Sequence, residues 1–103
     1  MVIDRINSAQ DRVIAAKLRR DQRLLVLARR NLGRWIKRDG RKVRPVFLEW
    51  HRILHRLTRA EIVRFLASNT PRACRLRQST PFAGALTDTE RSAIRQAHEK
   101  TGT

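Results

Sequence analysis

The residues best equipped for chemistry in this chain are its arginines. Twenty arginines and four lysines stand against nine carboxylates in 103 residues, a formal charge of +15. A guanidinium grips phosphate through paired N–H donors and stacks on bases, which an ammonium group does less well. A GC-rich genome can explain arginine in place of lysine, but it does not explain the size of the surplus. Charge of this size repels itself in a compact chain and attracts polyanions, so the composition points to nucleic acid, or an acidic or nucleoprotein surface, as partner.

Residue types that support catalysis are present without the spacing that catalysis needs. His51 and His55 lie four apart, which can place two imidazoles on one metal. A metalloprotease motif puts an acid directly after its first histidine, where this chain has Arg52, and Arg52 and Arg56 repel a cation. Cys74 is the single cysteine, so an intrachain disulfide and a thiolate zinc cluster are excluded, and its reading is a small core filler. The acids outside capping positions, Asp4, Asp21, Asp39, Glu49, Asp88 and Glu99, are scattered and form no acid–base pair. The expectation is a protein with no catalytic residue, no metal and no cofactor.

Sparse punctuation sets the elements that position these groups. Proline occurs only at 45, 71 and 81, and glycine only at 33, 40, 84 and 102. Three Ser/Thr-x-x-acid sequences, Ser8 with Asp11, Thr58 with Glu61 and Thr87 with Glu90, mark helix starts in which hydroxyl and carboxylate satisfy orphan amides reciprocally. Pro45 and Pro71, the latter behind Thr70, mark two more. The pattern predicts helices over 9–37, 45–57, 59–67, 71–78 and 88–100, with no alternation suited to a strand. The fold class is all-α with four to five helices: one long amphipathic N-terminal helix, then a compact bundle of shorter ones, in a single domain spanning 1–103.

The long first helix sorts into two faces. Ile14, Leu18, Leu25, Ala28, Leu32, Trp35 and Ile36 gather on one side, and Arg12, Arg19, Arg23, Arg30, Arg34 and Lys37 on the other. The basic run continues through Arg38, Arg41, Lys42 and Arg44. A helix over 9–37 would be about 43 Å long, enough to overhang a small core. Near-heptad spacing of its apolar residues suits a seam between two copies, so a homodimer through this helix is an expectation. Asp21 interrupts the apolar face and, with Gly33, marks a possible break.

Residues 60–77, running from Ala60-Glu61-Ile62-Val63 through Ala67-Ser68-Asn69-Thr70-Pro71 to Leu76-Arg77, loosely resemble the helix-turn-helix segments of bacterial regulators. The resemblance implies a capped second helix facing DNA, from which Arg72, Arg75 and Gln78 would reach base edges. Ala67 stands where glycine is usual, the turn is about a residue longer, and the second helix is short. Trp35 reads as core against the apolar face of the 45–57 helix, with stacking on an unpaired base beside Arg34 and Arg38 as its functional alternative.

Three functions follow from these residues. The first is a small, non-enzymatic nucleic-acid-binding protein, a regulator or accessory factor of a bacterial or mobile-element genome. Its contacts would be Arg12, Arg19, Arg23, Arg30, Arg34, Lys37, Arg38, Arg41, Lys42, Arg44, Arg72, Arg75 and Gln78. The second is a protein-interaction module, such as an anti-CRISPR-type inhibitor that binds a host nucleoprotein defence complex. The third is a small nuclease toxin using His51 or His55 as base. The first eight residues contain no apolar signal region, and the longest apolar run is Leu24 to Ala28, so the expected location is cytoplasmic with no membrane contact.

Overall fold

The computed structural model describes residues 2–101, with side chains from 5 to 98. Six α-helices form: α1 (Val2–Arg20), α2 (Arg23–Asp39), α3 (Pro45–Arg56), α4 (Arg59–Ala67), α5 (Pro71–Arg77) and α6 (Asp88–Thr101). A 3₁₀ turn, Gly40–Lys42, joins α2 to α3. There is no strand among the described residues, so the all-helical class holds. Six helices replace the predicted four to five because the long first helix is two.

The division falls at Asp21, and a side chain makes it. The Asp21 amide still donates to the Lys17 carbonyl at 2.9 Å, which continues the α1 ladder by one bond. Asp21 Oδ1 then accepts from the Arg23 amide at 3.0 Å and from its Nε at 2.9 Å. An amide bonded to a side chain two residues back is lost to the helical ladder, as Asx turns commonly arrange. Gly33 lies inside α2 and breaks nothing.

The break lets the two halves find different partners within one chain. Helix α1 packs on α4, α5 and α6, whereas α2 packs on α3. Of the predicted dimer seam, Ile14, Leu18, Leu25, Ala28 and Leu32 are buried in the chain's own core, and Trp35 is half-buried against it. Most of that apolar stripe is thus covered within the chain, by α3 and α4.

The start of α1 is a second correction. The helix runs through Ser8 from Val2, so Ser8 and Asp11 form no capping box. Ser8 Oγ donates instead to Asn69 Oδ1, and Asp11 is buried against Arg77. The other caps form as their sequences require. Thr58 and Glu61 make both bonds of a capping box, Thr87 and Glu90 do the same, and Thr70 Oγ1 accepts from the Ala73 amide.

One hydrophobic cluster joins residues of α1 to α5 with Phe82, Ala85 and Leu86, and Ile94 of α6 packs against it. Trp50 sits fully buried inside, its Nε1 donating to the Leu76 carbonyl at 3.0 Å. The rings of Phe65 and Phe82 meet it edge-on at 5.7 and 6.3 Å, an arrangement that the ring quadrupoles favour. Asn31 fastens the connection after α5: its amide nitrogen donates to the carbonyls of Pro81 and Ala83, each at 2.9 Å. No helix is long and apolar enough to cross a membrane among the described residues.

Candidate functional site

Helix α2 turns one face to the core and the other outward. Leu25, Ala28, Asn31 and Leu32 are buried. Arg23, Val26, Arg30, Gly33, Arg34 and Lys37 line the exposed side at helical spacing. Gly40, at φ +58°, ends the helix with its amide on the Ile36 carbonyl, a left-handed conformation that glycine adopts without cost. The turn it permits carries Arg41 and Lys42 outward, followed by exposed Arg44.

Acids offset little of this charge. Arg23 pairs with Asp21 at 2.9 Å, and Arg38 Nε with Asp39 at 3.2 Å. Arg34 donates to Asn31 Oδ1, buttressing the residue that holds the post-α5 connection. Arg30, Lys37, Arg41 and Lys42 are exposed and have no carboxylate partner among the described residues. The eight predicted contacts from Arg23 to Arg44 therefore lie on one run of structure, α2 and the turn after it.

Beside this face is a cleft of about 370 Å³ lined by Trp35, Arg38, Arg44, Phe47, Gln78, Ser79 and Thr80. Trp35 is half-buried, its ring 5.3 Å from that of Phe47 at an interplanar angle of 38°. The Arg44 guanidinium lies 5.7 Å above the Phe47 ring, within cation–π range. The cleft brings Arg38, Arg44 and Gln78 together from distant parts of the sequence. Trp35 packs on α3, as its core reading requires, and also lines the open cleft.

The two predicted contacts on α1, Arg12 and Arg19, lie elsewhere, which corrects the single continuous stripe. Arg19 lines a cleft of about 260 Å³ with Arg59, Ala60, Val63 and Arg64 of α4. Arg12 lines another with Ser8, Asn69, Cys74 and His98. Nothing in the sequence pairs Arg19 with Arg59 and Arg64; only the packing of α1 on α4 does.

Two consecutive helices, α4 and a Thr70-capped α5, cover the segment that resembles a helix-turn-helix, and the residues that the resemblance assigns to base reading divide between two places. Arg75 and Arg72 lie 2.9 and 3.7 Å from Glu49 Oε2 on α3. The Arg75 hydrogen bond, then the charges of Arg75 and Arg72, hold the Glu49 carboxyl below its ordinary value. Gln78 meanwhile lines the Trp35 cleft.

Cys74 is exposed, which corrects its reading as core filler. The His51 and His55 rings lie 4.2 Å apart and exposed. Partial desolvation, then the charges of His51 and Arg29, hold His55 below the usual imidazole value. Among the described residues no three His, Cys, Asp or Glu side chains lie close enough to share a metal.

Arg77 is a charged residue that the sequence hides. It is buried with Asp11, Nε to Oδ2 at 3.2 Å, and also donates to the carbonyls of Leu66 and Ser68. Burial pushes the Asp11 carboxyl up to about 6, against the opposing pull of Arg77. Its position among Arg72, Arg75 and Arg77 gave no sign which arginine would turn inward. The chain matches no known family model, and no characterised protein or solved structure is significantly similar to it.

Proposed function

We propose that this chain is a small, non-enzymatic nucleic-acid-binding protein whose electrostatic grip is the exposed face of α2 with the turn that follows. The observation that carries the reading is the run of Arg30, Lys37, Arg41 and Lys42, exposed and without a carboxylate partner among the described residues, joined by Arg34 and Arg44. Structural ion-pairing does not account for such a surface, because a solvated helix face ordinarily mixes charges of both signs. Phosphates spaced along a strand would relieve its self-repulsion while releasing counterions.

Arg38, Arg44 and Gln78 extend the surface into the Trp35 cleft. Arg72 and Arg75 contribute less than their exposure suggests, since Glu49 already shares their charge. Arg12 and Arg19 supply separate contacts on α1, the latter with Arg59 and Arg64.

The reading is tested by titrating labelled DNA and RNA at several salt concentrations. If Arg30, Arg34, Lys37, Arg41, Lys42 and Arg44 each neutralise one phosphate, affinity for duplex DNA falls with a log–log slope of about −5. The combined substitution Arg30→Gln, Lys37→Gln and Arg41→Gln should flatten that slope by nearly 3 while leaving the melting temperature in place, because all three side chains are exposed. Capture of an acidic protein with no affinity for any nucleic acid near physiological salt would refute it.

A further inference from the structure

We infer that the cleft beside α2 is a stacking site for an unpaired nucleobase, so that the protein prefers single-stranded nucleic acid to duplex. The inference rests on the nucleic-acid reading above and names the form of nucleic acid that the surface takes.

Three features of the cleft favour a base over phosphate alone. Trp35 lines it, half-buried with its ring 5.3 Å from that of Phe47. A tryptophan face offers a sequence-tolerant platform, since every base has a π surface to lay on it. Arg38 and Arg44 border the same space and supply positive charge where the sugar–phosphate chain of a stacked nucleotide would pass. Gln78 and Thr80 add an amide and a hydroxyl that can meet the polar edge of a base.

The position of the cleft fits as well as its lining. It lies at the C-terminal end of α2, with Arg38 and Arg44 in its lining and the Gly40–Lys42 turn between them in sequence, so a strand held by those two cations passes Trp35. A duplex keeps its bases stacked inside and cannot offer one to a recess of about 370 Å³ without unpairing it.

The protein carries its own reporter. Its two tryptophans are Trp35 and Trp50, and Trp50 is fully buried with its indole nitrogen on the Leu76 carbonyl. Quenching of intrinsic fluorescence by a bound base therefore reports Trp35. The experiment titrates the intact protein with a short oligothymidylate, an oligouridylate and a mixed-sequence duplex of equal length, at two salt concentrations.

Expected are quenching by one or both single strands, little by the duplex, and tighter single-strand binding. Trp35→Leu should weaken that binding about tenfold and leave duplex affinity unchanged. Trp35→Phe, which keeps an aromatic face, should recover most of the affinity and lose the quenching signal. The thymidylate and uridylate arms show whether the strand is DNA or RNA, and preference for either supports the site.

Salt-dependent binding of all three without quenching or strand preference would overturn the stacking site and leave the electrostatic grip standing. Failure of all three to bind would overturn both.

Discussion

Replacing Asp11 by asparagine should remove a contribution to stability whose pH dependence runs opposite to ordinary acid denaturation. In the folded protein burial raises the Asp11 carboxyl from 3.8 to about 6. The attraction of Arg77 does not overcome that cost, because one hydrogen bond of 3.2 Å joins them and the guanidinium is shared with the carbonyls of Leu66 and Ser68. Between pH 3.8 and about 6 the folded chain holds a proton that the unfolded chain has released. The unfolding free energy contributed by this group is therefore fully present below 3.8 and is lost as pH rises to 6. At 1.36 kcal/mol per tenfold change in proton affinity, the loss is about 3 kcal/mol, a large share of the roughly 5–15 kcal/mol that holds a domain together.

Asparagine has the shape of a protonated aspartate and does not titrate. Urea unfolding followed through buried Trp50 at a series of pH values should show the parent's stability falling by about 3 kcal/mol relative to Asp11→Asn as pH rises from about 3 to about 7. The difference should then stay level. Taking the difference between the two proteins removes the opposite contributions of Glu49, Glu61 and Glu90, whose carboxyls are held below their ordinary value. A difference that grows in the parent's favour with rising pH would show that Arg77 wins over burial, and the reasoning given for this pair would be refuted.

Two further substitutions probe the basic face. Gly33 is an exposed interior residue of α2, and a Cβ built there meets nothing within 4 Å, so Gly33→Ala should stabilise the fold by roughly 1 kcal/mol and raise the melting temperature by about 4–5 °C; a lower melting temperature in a calorimetric scan would contradict the exposed-helix assignment. Glu49→Ala should alter stability by less than about 1 kcal/mol, since its pairs with Arg72 and Arg75 lie at the surface, yet tighten nucleic-acid binding several-fold at low salt by freeing both guanidiniums; unchanged affinity would place α5 outside the interface.

The sequence by itself determined the helices wherever the controlling interaction spans three or four residues. Thr58 with Glu61 and Thr87 with Glu90 close their caps inside one turn, and Pro45 and Pro71 fix the first dihedral of α3 and α5, so those starts were legible. The amphipathic pattern likewise identified Ile14, Leu18, Leu25, Ala28 and Leu32 as buried, and the exposed basic positions from Arg23 to Arg38 needed only helical geometry. Tertiary structure decided what covers the apolar stripe and where charges from distant segments meet. The bend at Asp21 divided the apolar stripe between two seams within the chain, and it parted Arg12 and Arg19 from the α2 face. Asp11 exchanged a local cap for Arg77, which lies 66 positions away, and Trp35 gained Gln78 as a neighbour across the cleft. Such pairings depend on how helices pack, and helix packing is set by the summed shape of two surfaces, which no short window of residues contains.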